Sequence, residues 1–153
     1  MSSSLMSSQD LRGRVEGFLV ALNRREYGEV ARFLSPDVVL VDHIRRTTVN
    51  GPDAFSDRFK PMLDAFPDMI GETTFLFVNG GVAAAETVWR GTHTRPLVLP
   101  SMHVVEPTNQ HVDVYIAAFL EFDQEGGVTA IRTYGNPTET MLSVTSSLAG
   151  GTG

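Results

Sequence analysis

The chain has 153 residues, 42% hydrophobic and 20% charged, which fits one globular domain able to bury most of its apolar surface. It contains no cysteine, and that removes disulfides, thiol catalysis and cysteine-based metal sites together. The net charge is −6, with no basic cluster beyond Arg24-Arg25 and Arg45-Arg46, so no stripe exists for tracking phosphates and a nucleic-acid partner is not expected.

No apolar run approaches the ~20 residues that a membrane helix needs, and no membrane partner is expected. The start, MSSSLMSSQD, lacks the basic and apolar regions of a signal peptide, so a cytoplasmic location is the expectation. Residues 1–9 read as a disordered segment. Lys60 is the single lysine among twelve basic residues, a bias that GC-rich bacterial coding would produce.

Ser7 or Ser8 is suited to cap a helix, and Leu11, Val15, Phe18, Leu19 and Leu22 follow at helical spacing. Arg24-Arg25 falls at its carbonyl end, where positive charge suits the dipole. Tyr27, Val30, Ala31 and Leu34 predict a shorter helix that ends at Ser35-Pro36-Asp37. Val38 to Val41 is continuously apolar and predicts a strand buried on both faces. After a polar loop, Asn50-Gly51-Pro52-Asp53 predicts a helix start, with Phe55, Phe59, Met62, Leu63 and Phe66 as its apolar stripe and Pro67 as its stop.

Sheet is predicted from there on. Thr73 to Val78 is rich in β-branched and aromatic residues, and Asn79-Gly80-Gly81 is a hairpin turn. Val82 to His93, His111 to Phe122 and Val128 to Tyr134 are the remaining strands, with a turn at Asp123 to Gly127. The segment from Arg95 to Gln110 is long for a connection and carries Leu97, Val98, Leu99, Met102, Val104 and Val105 between prolines. It reads as a lid over an apolar cavity or as a stretch lying against a second subunit. The tail from Ser143 to Gly153 is small and polar and is expected to be flexible. Helices first and antiparallel strands after imply an α+β domain over residues 10–142, with three helices covering one face of a curved sheet. Apolar residues on both strand faces exceed what three helices can cover, so a homodimer packed through the sheet is expected.

The order of elements resembles the fold shared by nuclear transport factor 2, ketosteroid isomerase, scytalone dehydratase and the SnoaL-like polyketide cyclases. The motifs favour the last group: Pro36-Asp37-Val38-Val39 leading to Asp42-His43, then Ala65-Phe66-Pro67-Asp68, then Trp89-Arg90-Gly91-Thr92-His93-Thr94. Pro107-Thr108 and Arg132-Thr133-Tyr134-Gly135-Asn136 complete the set. The resemblance implies a cone-shaped, curved antiparallel sheet enclosing an apolar cavity, and a cyclase acting on an apolar, polyketide-like small molecule in natural-product biosynthesis. Such cyclases usually end the last strand with an aspartate that serves as acid/base in an aldol closure. Here that position is Asn136, which cannot exchange a proton near neutral pH. A closure by templating a folded substrate, pericyclic and Diels-Alder-like, is therefore the first expectation. Acid/base aldol or oxygen-heterocycle closure is the alternative, and a non-catalytic ligand-binding protein of the same fold is the rival outside the enzymes.

Asp42, His43, His93 and Asn136 are the candidate catalytic residues. His93 has the right pKa range for acid/base work, or it bonds a loop carbonyl and does no chemistry. Asp42 and His43 are neighbours on a strand, so only one can face the cavity, and both faces of that strand are apolar. Asp42 either acts as base or is a buried carboxylate holding the loop through Arg45 or Arg46. Arg132, Tyr134 and Asn136 alternate onto one face, as donors for a carbonyl or enolate oxygen or as an outward arginine beside a core tyrosine. Phe18, Trp89, Tyr115, Leu99 and Met102 join Arg132 and Tyr134 as candidate substrate contacts, and Trp89 equally suits core packing. His103, Glu106 and His111 match no zinc spacing, and no phosphate-binding glycine loop is present, so no metal or organic cofactor is expected.

Overall fold

A computed structural model describes residues 6–99 and 101–135; the expectations for residues 1–5 and for the tail from Ser143 onward lie outside the described residues. Helix α1 spans Ser8–Asn23, and Ser7 caps it by accepting the Asp10 N–H at 3.1 Å. The helix closes on a left-handed residue, Arg25 (φ 58°), whose neighbour Glu26 donates back to the Ala21 carbonyl at 3.0 Å. Arg25 thus lies just beyond the last turn rather than in it. Its guanidinium reaches the Phe66 and Pro67 carbonyls at 3.4 and 3.3 Å and ties the two ends of helical structure together. Helix α2 (Tyr27–Phe33) is short, and β1 (Leu34–Asp42) begins at once.

Pro36 is tolerated inside β1 because the pairing is irregular there: register with the last strand breaks between Leu34 and Val39. The expected polar loop contains a short strand, β2 (Thr47–Asn50), folded back on β1 with Asp42 opposite Thr47. Helix α3 (Pro52–Ala65) starts after Gly51, whose φ of 91° favours glycine, with Pro52 in its first turn. It also carries Pro61 in its interior, which leaves the Asp57 carbonyl without its helical donor.

Strands β3 (Ile70–Asn79), β4 (Val82–Thr92), β7 (His111–Phe122) and β8 (Val128–Gly135) pair antiparallel in sequence, as the turns predict. The whole sheet runs β2-β1-β8-β7-β4-β3, with β1 parallel to β8, so it is mixed rather than purely antiparallel. A parallel pair needs a long connection, and nearly the whole domain lies between these two strands in sequence. The Arg95 to Gln110 segment holds a separate two-stranded hairpin, β5 (Leu97–Val98) and β6 (Val104–Val105). Leu97 and Val105 are buried in the core, whereas Val98, Met102 and Val104 are exposed. No helix among the described residues is long and apolar enough to cross a membrane.

The helices cover one face of the sheet. Phe18 of α1 meets Phe55 of α3 at 5.5 Å between ring centroids, and Phe55 meets Phe59 at 4.8 Å. Alternation along each strand sends Val112, Val114, Leu120 and Ile131 to this inner face. The opposite face exposes Phe75, Phe77, Tyr115, Phe119 and Tyr134.

Candidate active site

Three cavities lie along the inner face, and neighbouring ones share wall residues. The innermost, of about 70 Å³, lies between α1, α3 and the sheet; Phe18, Phe55, Phe59, Trp89, Ile116 and Leu120 are among its walls, and Thr73 and Thr87 are its polar members. A second, of about 50 Å³, shares Phe59 and Ile116 with it and adds Leu40, Asp42, Ile44, Arg45, Arg58, Met62 and Thr133. The third is the mouth, about 310 Å³, where Leu97, Val98, Leu99 and Met102 of the hairpin face Arg45, Asp57, Arg58, Pro61 and Met62. The mouth meets the middle cavity at Arg45, Arg58 and Met62. The Arg95 to Gln110 segment thus lines this opening through Leu97, Val98, Leu99 and Met102.

Asp42, and not its neighbour His43, points inward. It shares the buried face of β1 with Val38 and Leu40. Its Oδ2 accepts from Arg58 Nε and Nη2 at 3.1 and 2.9 Å, a two-pronged ion pair with little exposure of either side chain. Its Oδ1 accepts the Ile44 and Arg45 backbone N–H groups at 3.0 and 3.2 Å and the Thr133 hydroxyl at 3.4 Å. Arg58 Nη2 also donates to Thr47 Oγ1 at 2.6 Å. Asp42 thus closes the turn after β1, joins β1 to β8 and α3, and carries little unspent capacity. Its arginine partner is Arg58, from the flank of the apolar stripe of α3, rather than Arg45 or Arg46. The sequence signal for it was a charge three residues after Phe55 and four before Met62, on the edge of the buried face.

The other strand residues fall on the outer face. His43 stacks on Tyr134 with centroids 4.5 Å apart and rings 17° from parallel, and Phe119 meets Tyr134 edge-on at 5.9 Å. Arg132 pairs with Glu121 at 2.9 Å on that side, and Tyr115 stands exposed on the same face farther along β7. Arg132 and Tyr134 do share a face, but the sheet separates it from Phe18, Trp89 and Asp42. Asn136 lies outside the described residues.

His93 is fully buried and borders none of the three cavities. Its Nδ1 accepts the Thr108 N–H at 3.2 Å and lies 3.0 Å from the Thr108 hydroxyl, which assigns the proton of the neutral ring to Nε2. Nε2 has no hydrogen-bond partner among the described residues; the nearby Arg95 backbone favours the charged ring but outside hydrogen-bond geometry. Burial dominates and lowers the pKa below 6.5. The ring stacks on Phe66 at 5.1 Å. Close by, Asp68 Oδ1 accepts the Thr92 N–H at 2.7 Å, a bond that holds its carboxyl below the ordinary range. The Ala65 carbonyl accepts from Thr94 and Arg95 at 3.2 Å. Two of the motifs that carried the resemblance, one at the end of α3 and one at the end of β4, are thus a clasp between those elements.

Trp89 packs over Gly71, where an added Cβ would fall 2.8 Å from the indole, and donates to Thr87 Oγ1 at 3.1 Å. Among the described residues no group of three or more His, Asp or Glu is arranged to hold a metal ion.

The profile of the SnoaL-like domain matches residues 15–131. No curated relative matches the sequence at a significant level. The structure is similar to that of AclR, a candidate hydroxylase from Streptomyces galilaeus, at TM-score 0.77 and 20% identity, over 92% of this chain and 98% of that one. It is similar to IdmH, a candidate polyketide cyclase from Streptomyces antibioticus, at TM-score 0.73 and 18% identity over 89% and 98% of the two chains. A candidate polyketide cyclase from Xanthomonas campestris superposes at TM-score 0.69 and 23% identity, covering 90% and 98%. At these identities the likeness fixes the fold, and the profile fixes the lineage: the chain belongs to the SnoaL-like family.

Proposed function

We propose that this protein is a polyketide cyclase that closes a ring on an apolar polyketide intermediate by holding it folded, without a cofactor. The carrying observation is the inner cavity, lined by apolar side chains with two threonines as its polar members. The ionised pair beside it, Asp42 and Arg58, is engaged in hydrogen bonds on the protein side. Such a mould offers shape and exclusion of water, which suit a reaction whose main obstacle is the entropy of folding a flexible chain. Phe18 and Trp89 would form the wall and Leu99 and Met102 the closing side, with Asn136, the next residue in the sequence after β8, as a neutral hydrogen-bonding group.

Incubation of the protein with a linear polyene precursor tests this reading. Ring closure well above background, at a rate flat across neutral pH and indifferent to a chelator, is the expected result. Binding without turnover would make the protein a carrier, and a rate that follows one carboxylate titration would move the chemistry to Asp42. Asn136→Asp sharpens the contrast: a shape-driven site loses activity when a charge is added, whereas proton transfer at that position would gain from it.

A further inference from the structure

Arg45 stands apart from the other charges of the cleft. Its backbone is held in the turn after β1 by Asp42 Oδ1, and the left-handed Arg46 that follows (φ 55°) completes the turn. Its side chain lines both the middle cavity and the mouth, yet its guanidinium makes no hydrogen bond or ion pair among the described residues. The one carboxylate that would suit it, Asp42, is taken by Arg58, two backbone N–H groups and Thr133. Partial burial of the guanidinium and, after it, the nearby Arg58 lower the pKa of Arg45, against a smaller pull from Asp42. Arg45 is exposed to solvent at the mouth of the cleft, so its charge is open to a ligand rather than spent within the fold.

The mouth has two chemistries. The hairpin side is apolar, with Leu97, Leu99 and Met102, and the facing side carries Arg45 and Arg58, with Asp57 as the acidic member. Asp57 is not among the charges that shift Arg45. We infer that Arg45 is the recognition site for one anionic group, a carboxylate, on the end of an otherwise apolar substrate. Its planar fork pairs with a carboxylate in two parallel bonds, and Nη1 of Arg58 donates to no acceptor among the described residues. The apolar body then extends past Met62 toward Phe59 and Ile116, where the middle and inner cavities meet. The inference rests on the cavity being the ligand site, and it adds the class of substrate: an apolar acid rather than a neutral ester or a polycation.

Octanoate and octanamide are matched probes, equal in length and differing in charge, and calorimetric titration gives the affinity of each. Wild-type protein is expected to bind octanoate about tenfold more tightly than octanamide. Arg45→Met should erase that preference and leave octanamide affinity within about twofold, while Arg45→Lys keeps part of it. The melting temperature of Arg45→Met should be unchanged or higher, because relief of the like charge beside Arg58 accompanies the loss. Equal binding of both probes by wild type, or an octanoate preference that survives Arg45→Met, overturns the anion site while leaving the cavity reading intact. If neither probe binds wild type, the cavity reading fails and the inference falls with it.

Discussion

Asp42 and His93 are both buried polar side chains, and they meet burial in opposite ways. Asp42 gathers donors on every side, so its removal leaves Arg58 without its partner. Asp42→Asn keeps an acceptor for the turn N–H groups but not the ion pair, and should cost about 3 kcal/mol in chemical denaturation. A loss under about 0.5 kcal/mol, the size of an ordinary surface substitution, would show that Arg58 finds another acceptor. His93 instead stays neutral. In the unfolded chain it takes up a proton near 6.5, whereas the folded ring resists until a lower pH. Its stabilising contribution is therefore complete above that value and is lost as the pH falls through the folded pKa. Melting temperatures of wild type and His93→Gln, which can still accept from Thr108, should converge on acidification. Parallel curves would mean that His93 titrates alike in both states. From sequence alone neither residue's answer was readable, because the β1 strand is apolar on both faces and the donors come from Ile44, Thr133 and Arg58, distant in sequence or hidden in the backbone.

The elements were more legible than the contacts between them. Helical spacing, caps and the Asn79-Gly80-Gly81 turn located α1, α3 and strands β3, β4, β7 and β8 closely. Strand β2 was missed because Thr47 to Asn50 is short and polar, its β-branched Thr47-Thr48-Val49 being the available signal. The Arg95 to Gln110 segment shows a finer limit. Its apolar content announced a lid, but not which residues anchor it and which face the opening. Leu97 and Val105 are its anchors, and the tip between them forms one wall of the mouth. Replacing that tip with a short turn, keeping Leu97 and Val105, should leave the melting temperature nearly unchanged, since loop length changes closure entropy slowly. Ring closure should slow, because the bound chain loses a wall and water enters. Unchanged turnover would reduce the hairpin to a connection, and a collapse in stability would assign its tip to the core.

Across the whole molecule the sheet is a partition, and strand alternation gives each side its own task. The inner face holds the cleft, while the outer face holds His43, expected among the catalytic residues, and Tyr115, Arg132 and Tyr134, expected among the substrate contacts. On that side Phe75 and Phe77 of β3 are 60% and 57% exposed, and Tyr115 and Phe119 of β7 are 54% and 43%. Aromatic side chains of this size, half covered, together leave on the order of 500 Å² of apolar surface on one face, a good share of a standard interface. Beside it runs a row of paired charges: Arg90 with Glu72 at 3.2 Å and with Asp113 at 3.7 Å, and His111 with Asp113 at 3.1 Å. An apolar centre with a polar margin suits a second copy of the same chain, which a two-fold axis would bring face to face. Phe119→Glu should then yield a monomer by light scattering, because a carboxylate in that centre would lose its water without gaining a partner. The inner cavity should survive the change, since Phe119 points away from it. A wild-type protein that is already monomeric at micromolar concentration, or a Phe119→Glu variant that keeps its dimeric mass, would leave the exposed aromatics serving some other contact.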